Sequence, residues 1–213
     1  MRMFVLFLAA LALSAEAPPP EVQQFDQAIQ QSHLKEAAAA IDKLIALRTP
    51  VDGQPHQDPL LNALLGRLYL AAHQEAGAEA YLTRAPLGSL PATSRAATAL
   101  ALGRALELRG KRIAALEAYR NAFNSAGTRS ERRGAQLGIA RQLLITEPQS
   151  VPAEVRDIAN GPAAPDRWEA RYLLALVSSL SGDQQSAARF SDEAWADSAS
   201  ARPGDLAPLH VGT

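Results

Sequence analysis

The side chains able to do chemistry are few and scattered. His33, His56, His73 and His210 are the four histidines, and none has a second histidine three or four positions away. That spacing would place two imidazoles on one helical face to hold a metal. No His-Glu-x-x-His motif, acidic calcium loop, Gly-x-Ser-x-Gly elbow, phosphate loop or Gly-x-Gly-x-x-Gly run occurs. The absence of cysteine removes disulfides, thiolate metal sites, iron–sulfur clusters, cysteine nucleophiles and lipid attachment through cysteine. Asp192 and Glu193 are adjacent, so on a helix their carboxylates diverge and read as solvated surface. Trp168 and Trp195 could stack on a sugar or a partner, but both fall in the last helical stretch, where large aromatics are expected to close a core. No catalytic group, metal site or cofactor is expected, and the chemistry left is binding.

Charge gives a hint about what is bound. Between Arg95 and Arg141 there are ten Lys or Arg against three Asp or Glu, while both flanks are net acidic. The chain as a whole is near neutral at −1, which argues against nucleic acid as a partner. A basic centre is either a solvated face or a strip that receives carboxylates, since guanidinium forks bind them bidentately.

These residues must be positioned by helices. The 44 alanines favour α-structure, because alanine gives up no side-chain entropy on entering a helix. Helices are expected over 21–32, 34–48, 58–73, 75–85, 92–108, 111–125, 130–146, 153–160, 166–181 and 184–198. The eighth is displaced or shortened by Pro148 and Pro152. Residues 1–17 read as a signal peptide, with a positive start at Met1-Arg2-Met3, an apolar run from Phe4 to Leu13, and Ser14-Ala15-Glu16-Ala17 as the cleavage region. The cleavage position stays open, because Pro18 would hinder cutting after Ala17. An apolar run of about ten residues is too short for a stable membrane span of roughly 30 Å. Export to the periplasm or cell envelope is expected, with a helical domain over 18–199 and a tail over 200–213.

The helical part repeats. Leu65-Gly66-x-x-Tyr69 is followed by Ala78, Leu82 and Ala85, and Leu102-Gly103-x-x-Leu106 by Gly110, Ala115, Tyr119 and Ala122. Leu137-Gly138 and Leu174-Ala175 recur at similar spacing, the latter followed by Gly182, Ala187 and Ala194, and Phe25, Ala37, Ile41 and Leu44 fit the same frame. Over residues 21–199 this pattern resembles the tetratricopeptide repeat (TPR), a helix–turn–helix unit. The resemblance implies an all-α, right-handed superhelical solenoid of about five such pairs. Gly66, Gly103 and Gly138 would then let paired helices touch, with Tyr69, Leu106 and Tyr119 filling the space beside them. Ala78, Ala115, Ala122 and Ala187 would pack in the second helices. It also implies a protein-binding scaffold whose first helices line a concave groove. By carry-over Arg67, Arg104 and Arg132 would face that groove beside Leu100, Leu108, Leu143, Tyr172 and Leu176. Leu64 and Ala101 stand where the Asn/Lys clamp of chaperone-binding members would be, so that role is not expected. The expected function is a scaffold or adaptor for other proteins in the envelope. The alternatives are a binding module for an anionic envelope polymer, or a regulatory partner of an enzyme on another chain.

Overall fold

The computed structural model describes residues 17–48 and 58–200. All but the last residue of the expected signal segment, the polar stretch 49–57 with His56, and residues 201–213 lie outside that range. The described residues form ten helices and no strand: α1 Pro20–Gln30, α2 Leu34–Arg48, α3 Pro59–Ala71, α4 Glu75–Thr83, α5 Ala92–Leu108, α6 Arg112–Ser125, α7 Arg129–Thr146, α8 Val151–Ala159, α9 Arg167–Leu180 and α10 Gln184–Ser200. Their starts carry local reasons. Pro20 and Pro59 sit in first turns, where a missing N–H costs nothing. Asp58 caps α3 by accepting from the Leu60 amide at 2.8 Å. Thr128 and Glu131 form a reciprocal capping box on α7. Pro152 likewise falls in the first turn of α8, so that helix begins at Val151, two residues before the expected start, after a 3₁₀ turn over Pro148–Ser150.

Consecutive helices pack as pairs, and the odd-numbered ones also pack on one another, α1 on α3, α3 on α5, α5 on α7 and α7 on α9. The odd helices therefore make one continuous wall that the even helices back, which is a solenoid of five helical hairpins. Four of the five hairpin turns share one backbone device. Ser32, His73, Gly110 and Gly182 have φ of 59°, 56°, 72° and 82°. The next amide in each turn reaches back along the chain, His33 to Ala28 O, Gln74 to Tyr69 O, Lys111 to Leu106 O and Asp183 to Ser178 O, at 2.8–2.9 Å. This is the Schellman closure, which suits glycine and strains other L-residues. Ser32→Gly and His73→Gly are each expected to raise the unfolding free energy by about 0.5–1 kcal/mol, part of the strain relief being offset by glycine's freedom in the unfolded chain. A urea titration reads the shift, and an unchanged midpoint in both would count against strain at these turns.

Small residues set the close contacts. A Cβ on Gly103 would lie 2.8 Å from two ring carbons of Tyr119, and one on Gly138 would lie 2.6 Å from the Tyr119 Cγ. The buried Tyr119 ring of α6 is thus held between α5 and α7. Gly66 admits Leu82, whereas Tyr69 packs against Gly77 and stacks on Tyr81 with centroids 5.1 Å apart. Leu106, Ala78, Ala115, Ala122 and Ala187 are all buried. The tryptophans do not close the end of the array together. Trp168 is half-buried, and Trp195 is 78% exposed. It follows the buried Ala194 by one residue, about 100° round the helix and off its packed face. Ion pairs join the last hairpin instead: Arg167 Nε and Arg171 Nη1 both donate to Asp197 Oδ2 at 2.8 Å.

Candidate binding surface

Several arginines of the odd helices pair with carboxylates. Arg67 Nη2 donates to Asp26 Oδ1 on α1 at 2.6 Å, and its guanidinium lies 5.0 Å from the Phe25 ring centroid. Arg104 Nη1 donates to Glu107 Oε2 at 3.0 Å, one turn further along α5. Glu107 is the hub of a larger cluster. Tyr119 Oη donates to Glu107 Oε2 at 2.6 Å, and Arg141 of α7 donates through Nε to Glu107 Oε1 at 2.7 Å and through Nη2 to Tyr119 Oη at 3.1 Å. A third Arg141 nitrogen, Nη1, donates to Glu169 of α9. One guanidinium therefore ties three successive odd helices.

The energetics of this cluster follow from burial against charge. Burial alone would raise the Glu107 pKa. The Arg141 charge and hydrogen bond, the Tyr119 hydroxyl and Arg104 outweigh it and hold the carboxyl below its usual value. Burial pushes the Tyr119 phenol well above its usual range, so it stays a neutral donor. The sequence suggests neither Glu107 nor Glu169 as a partner of Arg141. Only the Arg104–Glu107 step, at i,i+3, is visible locally.

Half of the basic centre proves to be taken up by ion pairs within the chain. Arg109 Nε and Lys111 Nζ reach Glu79 at 2.8 and 2.6 Å, Arg133 Nη2 reaches Asp166 at 2.5 Å, and Arg141 takes Glu107 and Glu169. Several of these carboxylates come from the acidic flanks. The segregation of charge along the sequence thus becomes complementary pairing between neighbouring hairpins, rather than one open basic strip.

The expected groove residues divide accordingly. Arg67 and Arg104 lie on the odd-helix wall, tied to Asp26 and Glu107. Arg132 stands seven residues before Ile139, the position matching Arg104, so it shares that face of α7 about 10 Å further back along the axis. Its guanidinium sits over Phe123 of α6, 5.5 Å from the centroid. Leu143 is 6% exposed and belongs to the core with Val151 and Val155, so it offers no groove surface; α8 starts close after α7 and covers it. Leu108 is exposed, and Leu100, Tyr172 and Leu176 are half-buried. No group of three or more metal-ligating side chains occurs among the described residues, and His73 serves as a turn residue.

No family model matches the chain, and no curated protein matches it in sequence. Solved structures do share its fold. The nearly identical TPR-like repeats of a Podosopora anserina putative kinesin light chain superpose with a TM-score of 0.59 at 20% identity, over 84% of this chain and 94% of that one. A singly substituted form of the same protein gives a TM-score of 0.60 at 20% identity, over 84% of this chain and 93% of that one. MamA superposes with a TM-score of 0.59 at 15% identity, covering 83% of this chain and 95% of its own. The chain therefore has a TPR-like solenoid fold.

Proposed function

We propose that the chain is a protein-interaction scaffold of the bacterial periplasm or cell envelope, holding an extended segment of a partner protein along the odd-helix wall. The observation that carries this reading is the unbroken stacking of the five odd helices, which presents side chains of successive hairpins as one lined surface. Its chemistry differs from an arginine ladder. With Arg67 and Arg104 neutralised by their own carboxylates, the open contacts are the apolar faces of Leu108, Tyr172 and Leu176 and the unused edge of Arg104. A partner segment rich in apolar and neutral residues fits best. Such binding keeps its affinity as salt rises, whereas an anionic polymer on a basic strip would be lost steeply. Export rests on the Met1–Ala17 pattern and the proposed cleavage there.

Photocrosslinking in living cells tests the reading. A benzoylphenylalanine at Leu108 or Tyr172 is expected to give a discrete adduct with a partner, and one at the exposed Glu117 of α6 none. Leu108→Asp should weaken capture by the other wall position roughly 10-fold, the effect of losing a buried apolar anchor. Adducts of equal yield from Glu117, or none from the wall, would remove the scaffold reading. An intact Met1 on soluble cytoplasmic protein would remove export.

A further inference from the structure

A different cavity lies at the other end of α7. It is bounded by the C-terminal ends of α6 and α8 and the N-terminal half of α7, holds about 410 Å³, and is lined by Arg129, Arg132 and Arg133 together with Phe123, Asp157 and Ile158. Arg67, Arg104, Arg141, Arg167 and Arg171 of the odd helices are matched by carboxylates, and in this cavity the match fails. Glu131 is spent on the capping box, its Oε2 accepting from the Gly127 amide at 3.0 Å, the Thr128 amide at 2.9 Å and the Thr128 hydroxyl at 3.0 Å. Asp166 is taken by Arg133. Among the described residues neither Arg129 nor Arg132 has an ion-pair partner. Asp157 is the one carboxylate in the lining, against three guanidinium groups.

The apolar half of the lining narrows the class of ligand. The Phe123 ring supports one face of the Arg132 guanidinium and leaves its edge, with the in-plane N–H donors, open to an incoming oxygen pair. Pro162 forms the wall beside it, with Ile158 buried beneath. A small free anion would use the guanidinium edges and leave that wall wet. A carboxylate side chain with an apolar neighbour would cover both. The capping box already takes the Thr128 and Glu131 amides, and the site does not draw on the helix N-terminus.

We propose that this cavity is a second partner site, which takes an Asp or Glu followed by an apolar residue on an extended partner peptide. The carboxylate engages Arg132 and Arg129, and the apolar side chain lies on Phe123 and Pro162. This site shares no lining residue with Leu108, Tyr172 or Leu176, so it stands or falls apart from the odd-helix wall.

The test uses the whole chain, isotope-labelled, titrated with the dipeptide acetyl-glutamyl-phenylalanine amide and followed by amide NMR. Shifts are expected to cluster at residues 123–136 and 157–162. Arg132→Gln should raise the Kd at least ~10-fold, as should the acetyl-glutaminyl-phenylalanine probe. The exposed Arg112→Gln and the wall variant Leu108→Asp should leave it unchanged. Arg132 is exposed, so its variant is expected to keep the wild-type melting curve, which the same samples report. Three results would overturn the site: shifts centred elsewhere, undiminished binding in Arg132→Gln, or the same shifts produced by inorganic phosphate at equal concentration.

Discussion

Arg141→Met is expected to lower the unfolding free energy by about 3–5 kcal/mol, the cost typical of removing one partner from a buried ion pair. The Arg141 side chain is only 15% exposed, and Glu107 and Glu169 are 16% exposed. Without the guanidinium these two carboxylates are left desolvated with Arg104 as the one remaining cation on Glu107. In a solenoid, stability is a sum of hairpin terms and interfaces between neighbours. Arg141 touches α5, α6 and α9 from α7, so its loss falls on both interfaces of the fourth hairpin at once. Urea unfolding of the variant is therefore expected to split, with the last two hairpins melting before the first three. A loss below about 1 kcal/mol with a single transition would reduce the cluster to an ordinary surface pair.

The pH dependence carries a sign that packing loss alone would not produce. In the native protein the folded Glu107 pKa lies below its ordinary value of 4.5. It contributes stability that is present above the unfolded pKa and lost as pH falls through the folded one. In Arg141→Met the largest attraction is gone, and burial, which raises the pKa, is opposed at Glu107 only by the Tyr119 hydroxyl and Arg104, so the pKa moves up. A raised pKa contributes in the opposite sense, with stability present at low pH and lost as pH rises through it. Between pH 7 and 5 the variant should gain stability while the native protein does not. Parallel pH curves for the two proteins would refute the assignment of Glu107 as the charge facing Arg141.

The small-residue spacing made the solenoid legible from the residues alone, because Gly66, Gly103 and Gly138 report a contact that only a missing Cβ permits. The turns were half legible. Gly110 and Gly182 announce themselves, but Ser32 and His73 adopt the same left-handed geometry without the residue type that signals it. Much less of the binding surface could be read. A repeat frame assigns a direction to each position, and it failed at Leu143 because α8, starting close after α7, packs over that part of α7. The arginines looked like an open strip since their partners, Asp26, Glu79, Asp166 and Glu169, lie 28 to 41 residues away and meet them only through stacking. Local pattern carries no information about pairing at that range. What the sequence did hold was the overall bias, a basic middle between acidic ends, and its meaning was adhesion between hairpins.

Gly138→Ala is expected to cost about 3 kcal/mol, at the upper end of what overpacking a core usually takes. A Cβ there would stand 2.6 Å from the Tyr119 Cγ and nearer still to two other ring carbons. A ring pressed from one side could slide away, but Gly103 of α5 closes the other side, where a Cβ would be 2.8 Å from the same ring. Sideways displacement of the ring is opposed as well, since the Tyr119 hydroxyl is held by Glu107 and Arg141. The methyl must therefore push α6 and α7 apart. At Gly66 a Cβ would stand 2.5 Å from the Leu82 Cγ and 3.0 Å from the Leu82 backbone nitrogen, so Gly66→Ala should also destabilise, whereas Gly88→Ala, with no atom within 4 Å, should change stability by no more than about 0.5 kcal/mol. Tyr119→Phe combined with Gly138→Ala separates the causes. If the ring is trapped by its hydroxyl, the phenylalanine background recovers part of the alanine penalty. If the backbone walls alone trap it, the two changes add.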